Sequence, residues 1–182
     1  MFLALEEWVT KGMAPPPSRV PRITDGTAVM AENVRMPAVP GFAVATGANR
    51  ITPPVDWIDP PARIDNSYGA LVCAVDADGN ELAGLRLPPI AVPLGTYTGW
   101  NLYRAQPGEL ADRDGSLIPF ARTKEECQAA GDPRPSLAER YGSRETYVAK
   151  VEAAAAALVA ERLLLPADVA AYVKAAKTCH RF

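Results

Sequence analysis

Proline limits the regular structure that most of this chain can form. The 182-residue sequence contains 18 prolines, and they are concentrated before residue 136. Because proline fixes φ and lacks a backbone N–H, it is excluded from helix interiors and central strands. Residues 14–21 therefore predict an extended strap, which either lies over a surface or docks in an aromatic groove. Long elements are also excluded farther along by Pro37, Pro40, Pro53, Pro54, Pro60 and Pro61.

The composition is typical of a soluble globular protein. Hydrophobic residues make up 48% and charged residues 22% of the chain, which argues against wholesale disorder. The net charge of −2 and the scattered Arg and Lys residues give no reason to expect nucleic acid. No apolar run reaches the roughly 20 residues of a membrane helix, and no signal peptide opens the chain. We therefore expect no membrane or nucleic-acid partner, and leave the compartment open between cytoplasm and periplasm.

A short helix is predicted at residues 2–11. Leu5 lies three and four positions before Trp8 and Val9, and Gly12 suits the left-handed residue that ends a helix. A free helix of about ten residues is marginal in water. We therefore expect this helix to pack on something outside the sequence.

A tight turn is predicted at residues 76–80. Apolar runs at 70–75 and 81–85 flank Asp-Ala-Asp-Gly-Asn, and Asp-Gly supplies the positive φ angles that a β-hairpin turn needs. The acidic residues also resemble a calcium loop, but its sixth position is Glu81 instead of glycine and its twelfth is Leu87 instead of glutamate. The β-hairpin is the better interpretation.

Aromatic and polar side chains lie close together after this turn. They are Tyr97, Trp100, Asn101 and Tyr103. Aromatic walls with a few polar groups are typical of small-molecule pockets, so these four are candidate substrate-binding residues. The alternative, which the usual burial of aromatic residues favours, is a core segment with the polar tips of Tyr and Trp bonded to backbone.

The last third of the chain predicts a helical hairpin. Ser136 and Glu139 have the spacing of a capping box before a short helix. A longer helix is predicted at 146–164, and Pro166 opens a final helix that continues to about Lys177. The long helix carries an apolar stripe at helical spacing, made of Tyr147, Val148, Val151, Ala154, Ala155, Leu158 and Val159.

The sequence contains no recognisable catalytic constellation. It has no G-x-S-x-G, no phosphate-binding loop, no C-x-x-C and no H-E-x-x-H. The single histidine, His180, is expected on a frayed C-terminal tail, where it is an exposed residue and not a catalytic base. Cys73, Cys127 and Cys179 have no ligand at metal-binding spacing and are interpreted as isolated thiols. We therefore predict no catalytic residue, no metal site and no cofactor in this chain.

Several strings along the chain are longer than generic turn chemistry requires. They are EEWV at 6–9, Gly12, PPPSR at 15–19, DGT at 25–27, VDADGNELAG at 75–84, YTGWN at 97–101, IPFART at 118–123 and GDPRPSLAERY at 131–141. Together they resemble the C-terminal segment of the bacterial alpha/beta-hydrolase domain proteins, a family of serine-hydrolase-like proteins. The resemblance extends over nearly the whole chain.

The resemblance implies a division of the chain. Residues 1–12 would be the last helix of a hydrolase core, followed by a proline-rich strap with short strands at 13–66. A β-hairpin and aromatic segment would occupy 67–125, and a helical hairpin 126–182. The expected fold class is α+β with much irregular proline-rich structure, forming the C-terminal part of an α/β-hydrolase fold.

The resemblance also implies a function. The catalytic serine, acid and histidine would lie upstream of Met1, so this chain would be a structural or lid-like part of a serine hydrolase that cleaves esters or amides. Its partner would be the catalytic domain or a second copy of the chain. A free-standing small-molecule or protein binding module and a truncated, inactive remnant remain as alternatives.

Overall fold

The described part of the chain has a mixed α+β fold of helices and short strands, and its last four helices follow its last strand. The computed structural model describes residues 2–45, 47–48, 69–106, 108–111 and 113–182. Its helices are α1 (Phe2–Lys11), α2 (Pro88–Ala91), α3 (Lys124–Ala130), α4 (Leu137–Tyr141), α5 (Arg144–Ala160) and α6 (Pro166–Lys177), with a 3-10 turn at Ala31–Asn33. Its strands are β1 (Ala28–Met30), β2 (Leu71–Cys73), β3 (Gly95–Thr98), β4 (Asn101–Leu102), β5 (Leu110–Ala111) and β6 (Ser116–Pro119).

One sequence prediction lies outside the described residues, namely that Pro53, Pro54, Pro60 and Pro61 exclude long elements. Within the described residues, no helix is both long and apolar enough to cross a membrane.

The strands of the described residues pair in three antiparallel sheets of two strands each, β1 with β2, β3 with β6, and β4 with β5. The predicted hairpin is therefore only partly correct. Its turn forms, closed by a single bridge between Val75 and Glu81, but β2 pairs with β1, and the predicted second run at 81–85 forms no strand. Gly84, at φ +86°, and Pro88 at the start of α2 redirect the chain before a second strand can extend.

Helix α1 forms as predicted. Gly12 ends it in the left-handed region, at φ +67°, and its N–H donates to the carbonyl of Trp8 at 3.0 Å, which is the single closing bond of an αL cap. No residue of α1 is buried. The helix therefore contributes little to the core of this chain.

The C-terminal helices follow their capping signals. Ser136 and Glu139 form both bonds of a capping box at α4, and Pro166 opens α6. Helix α5 ends at Ala160, four residues before the predicted end, because Arg162 takes φ +61° and turns the chain. Helix α3, which the sequence analysis did not predict, begins at the N-cap Thr123 and ends at Gly131.

The core lies between α2, α4, α5 and the end of β6. The apolar stripe of α5 faces it, with Tyr147, Val151 and Ala155 buried. The C-terminal tail also packs against it, so the expectation of a frayed tail is wrong. The ring of Phe182 lies 5.1 Å from Tyr147 and 5.9 Å from Tyr141, and the carbonyl of Phe182 accepts a bond from Arg144. The buried core cluster consists of Val92, Phe120, Leu137, Tyr141, Tyr147, Val151 and Ala176.

Candidate functional site

Tyr97 and Trp100 line the same cavity at the end of β3. This cavity has a volume of about 170 Å³, and most of its lining is apolar. The hydroxyl of Thr98 donates to the carbonyl of Trp100 at 2.6 Å and fixes the bend that follows the strand. The Trp100 ring packs on Phe42, with ring centroids 5.7 Å apart. The wall of the cavity is therefore held in place by contacts on both sides of the bend.

Asn101 and Tyr103, the other two candidate residues, lie outside the lining of this cavity. Asn101 opens β4 opposite Ala111, and its exposed side chain accepts a bond from the N–H of Leu102 at 2.8 Å. Tyr103 is 49% exposed. The structure therefore brings together two of the four predicted site residues and places the other two on the surface.

The turn at 76–80 is fastened to β3 by the buried side chain of Asn80. Its amide nitrogen donates to the carbonyl of Gly95 at 3.2 Å, and its amide oxygen accepts from the N–H of Tyr97 at 2.8 Å. Asn80 thus supplies the bonds that a neighbouring strand would give to β3. Gly79 is required beside it, because its φ is +83° and a Cβ there would lie 2.9 Å from the methyl group of Thr96.

A buried arginine, Arg134, connects this turn, through Thr96, to residues 131–141. Its guanidinium makes two bonds to the Asp132 carboxylate, at 2.9 and 2.7 Å. It also donates to the hydroxyl of Thr96 at 2.8 Å and to the carbonyl of Ile118 at 3.0 Å. The hydroxyl of Thr96 in turn donates to the carbonyl of Asp78. The buried charge is therefore paired and hydrogen-bonded, as burial requires.

Arg140 makes a second link between the same two parts of the chain. It donates through both terminal nitrogens to the Asp78 carboxylate, with Nη1 at 2.7 Å from it. Its guanidinium lies 4.0 Å from the centroid of the Phe120 ring, and that of Arg134 lies 5.1 Å from the same ring. We call Asp78, Asn80, Thr96, Phe120, Asp132, Arg134 and Arg140 the polar network.

The polar network was not predicted from the sequence. The strings 75–84 and 131–141 are both unusually long and both carry charged side chains, but their net charges are not opposite. Asp76, Asp78 and Glu81 make the first string acidic, whereas Arg134 and Arg140 in the second are balanced by Asp132 and Glu139. The available signal was therefore limited to two arginines in one long string and three acidic residues in another.

The described serines with side-chain bonds act as helix caps. The hydroxyl of Ser136 donates to the Glu139 carboxylate at 2.8 Å, and that of Ser143 accepts from the N–H of Thr146 at 3.2 Å. His180 is exposed, and its carbonyl accepts a bond from Arg122. Among the described residues, no group of three His, Cys, Asp or Glu side chains could hold a metal ion.

Burial keeps the phenols and the thiol near the core protonated. It raises the pKa of Tyr147 to about 12, with smaller contributions from Cys179 and Tyr97. Burial is also the main cause of the raised pKa values of Tyr97, Tyr141 and Cys127. These side chains can donate hydrogen bonds or form apolar walls at neutral pH, but they are poorly suited to act as bases or nucleophiles.

Comparison with known proteins identifies the family of this chain. Residues 1–174 match the family model described as alpha/beta hydrolase domain. No curated protein and no solved structure matches the chain. The matched residues include the Tyr97–Trp100 cavity and the whole polar network.

Proposed function

Because this chain belongs to the alpha/beta hydrolase domain family, we propose that it is a non-catalytic, structural or lid-like portion of a serine hydrolase. In this proposal the catalytic serine, acid and histidine precede residue 1 of the sequence, and the full-length enzyme cleaves an ester or an amide. Helix α1 is the last helix of the catalytic core. The remainder of the chain is a C-terminal extension laid against that core.

The pairing of the strands carries this proposal. Each sheet in the described residues has two antiparallel strands. The nucleophile of an alpha/beta hydrolase instead lies on a sharp turn between a strand and a helix of a larger sheet, in a G-x-S-x-G motif. The sequence has no such motif, and the bonded hydroxyls of Ser136 and Ser143 cap helices. The described part of the chain is therefore suited to support a catalytic site rather than to form one.

The surface of α1 supports the choice of partner. Phe2 is 86% exposed and Val9 is 78% exposed, and both lie on the same side of the helix as Leu5 and Trp8 by helical spacing. A continuous exposed apolar face of this kind is typical of an interaction surface. We propose that the catalytic domain covers it in the full-length enzyme, and that a second copy of the chain covers it when the chain is alone.

We further propose that the segment from Tyr97 to Tyr103 contacts the substrate. Tyr97 and Trp100 would form the apolar wall through the cavity they share, while the exposed Asn101 and Tyr103 would supply polar groups at its margin. The same cavity favours a second candidate function, a free-standing module that binds a small apolar or aromatic molecule. The two functions differ in whether the segment acts next to a catalytic serine.

Reaction of serine nucleophiles with a fluorophosphonate probe tests the main proposal. The purified chain should not be labelled and should not hydrolyse p-nitrophenyl butyrate above the buffer rate, because acyl transfer needs an activated nucleophile and an oxyanion hole. The protein expressed together with its upstream coding sequence should be labelled on a serine outside residues 1–182. Labelling of the chain alone that disappears in Ser67→Ala or Ser116→Ala would overturn the proposal.

Sedimentation velocity tests the partner of α1. The chain should associate increasingly as its concentration rises, and deletion of residues 1–12 should make it monomeric, because the exposed apolar face is removed. A variant with Thr10→Ala and Lys11→Ala keeps the helix and its apolar face, and should associate like the wild type. An unchanged oligomeric state after the deletion would contradict the assignment of α1 as an interface.

The role of the aromatic segment is measured in the full-length enzyme. Trp100→Phe and Asn101→Ala should change the relative kcat/KM for small and large acyl groups while the melting temperature stays the same. If the segment is only core, Trp100→Phe should lower the melting temperature and leave kcat/KM per folded molecule unaltered.

A further inference from the structure

Helix α1 and the strap after it are joined to the turn between α5 and α6 by two arginines. Arg162, in that turn, donates to the Glu7 carboxylate at 2.8 Å and to the carbonyl of Ala14 at 2.8 Å. Arg19, in the strap, pairs with the Glu161 carboxylate. These contacts connect the two ends of the chain.

The backbone of Arg162 takes a left-handed conformation at the point where its side chain makes this connection. Its φ is +61°, and it is the one non-glycine residue with a positive φ among those the structure describes. The left-handed region is disfavoured for a residue with a Cβ. The conformation ends α5 and places the guanidinium against both α1 and the strap, so the contacts of Arg162 offset a local backbone cost.

Apolar packing between α1 and this turn is incomplete. Leu5 and Trp8 of α1 face Leu85 and Leu163 across an open groove of about 480 Å³. No residue of α1 is buried. The ion pairs are therefore a large share of what holds α1 in place.

We propose that α1 and residues 12–21 form a releasable latch, closed on the α5–α6 turn by Arg162 and Arg19. The side chains of the two ion pairs are between a third and a half exposed, so dissolved salt screens them. Once released, a helix of ten residues is marginal in water. Opening of the latch therefore unfolds α1 and uncovers the groove beside Leu85 and Leu163. The latch goes beyond the proposed function and does not depend on it, because it concerns this chain alone.

Hydrogen–deuterium exchange of the 182-residue chain tests the latch. Raising the ionic strength from about 0.01 M to about 1 M reduces the screening length from about 30 Å to about 3 Å. Exchange should become about three- to tenfold faster in peptides covering residues 2–20 and stay unchanged in α3 and α4. Exchange that does not respond to salt at residues 2–20 would overturn the proposal.

Two variants separate the latch from general effects of charge. Arg162→Asn keeps a residue that tolerates positive φ but removes the guanidinium, so residues 2–20 should exchange rapidly even at low salt. The matched control is Arg35→Gln, which removes the same charge from an arginine that bonds the carbonyl of Glu32, and it should exchange like the wild type. Unchanged exchange in Arg162→Asn, an equal effect in Arg35→Gln, or faster exchange throughout α3 and α4 would each overturn the proposal. Because no catalysis is measured, failure of the latch and failure of the proposed function are distinguishable.

Discussion

Asp132 and Arg134 place a charged pair inside the molecule, with side chains that are 8% and 1% exposed. Buried ion pairs of this kind add little net stability, because desolvation of both charges offsets their attraction. Removal of one partner is costly, since the other charge then stays buried without compensation. The pair therefore contributes more to fixing the position of residues 131–136 against β3 and β6 than to the net stability of the fold.

Asp132→Asn should reveal the electrostatic contribution of this pair. The hydrogen bond from Arg134 lowers the pKa of Asp132, whereas in the unfolded chain the value is about 3.9. The stabilisation is therefore complete above the unfolded pKa and is lost as the pH falls through the folded pKa. We expect Asp132→Asn to lose about 3 kcal/mol at pH 7 and to show a smaller further loss in acid, measured by urea unfolding between about pH 7 and pH 3. The exposed Asp114→Asn should keep the wild-type profile, and a wild-type profile in Asp132→Asn would contradict this prediction.

Asn80 also contributes to the stability of the fold, and it does so by hydrogen bonding to backbone groups of β3 instead of by pairing charges. Asn80→Ala leaves the carbonyl of Gly95 and the N–H of Tyr97 without the bonds they make to this side chain. Each unsatisfied buried group costs about 1–3 kcal/mol, so we expect a loss of about 2–4 kcal/mol in the free energy of unfolding. Asn101→Ala is the matched control, because its side chain is exposed and bonds the next residue; it should change stability by less than about 0.5 kcal/mol. Equal losses in the two variants would show that Asn80 does not support β3.

At the scale of elements, the long helix α5 depends on a small residue on its buried face. Ala155 is 0% exposed, although it lies in a run of five alanines that all have high helix propensity. A larger side chain at this position would have to displace the atoms packed around it. The neighbouring Ala156 is exposed and has no such restriction.

Leucine substitutions separate packing from helix propensity. Ala155→Leu should lose about 1–3 kcal/mol through overpacking, whereas Ala156→Leu should stay within about 0.5 kcal/mol of the wild type. Chemical denaturation followed by circular dichroism measures both values. A stable Ala155→Leu variant would mean that the surroundings of Ala155 accommodate a larger side chain without cost.

The ends of helices were predictable from the sequence where a capping residue marks them. They were much less predictable where a contact with a distant part of the chain determines the end. Gly12, Ser136 and Pro166 lie at the predicted ends of helices. The end of α5 was misplaced because the run of leucines at 163–165 looks helical, while the turn at Arg162 is supported by residues near the opposite end of the chain. A local pattern cannot show that contact.

The pairing of the strands and the composition of the candidate site also depend on contacts that a local sequence pattern does not show. The turn at 76–80 could be read from its Asp-Gly pair, but the partner of β2 could not, because β1 is far away in sequence. Tyr97 and Trp100, two of the four candidate substrate-binding residues, share a cavity, and their binding role stays a prediction. Asn101 does not line it, because the chain bends at Gly99 and Asn101 then enters β4. Arg134 was missed because its partners Thr96 and Ile118 are known only from the fold.

At the scale of the whole molecule, the polar network and the apolar core both join two parts of the chain. One part contains the 76–80 turn and β3, and the other contains α4, α5 and α6. Arg140 pairs with Asp78 across this boundary, and both side chains are mostly buried, at 17% and 15% exposure. Thr96 and Arg134 make a second bond across it. We therefore expect the two parts to unfold in a single transition.

A double-mutant cycle of Asp78→Asn and Arg140→Gln measures this coupling. Because the pair is shielded from solvent and its guanidinium also lies over Phe120, the coupling energy should be about 1–3 kcal/mol. The ion pair of Asp76 and Arg86 is the matched control, since it lies beside the same turn but is more exposed, at 23% and 32%, and its coupling should be below about 1 kcal/mol. In the wild type, fluorescence and circular dichroism should give the same midpoint in urea. Equal coupling energies for the two pairs, or separate midpoints in the wild type, would mean that the polar network does not make the molecule one cooperative unit.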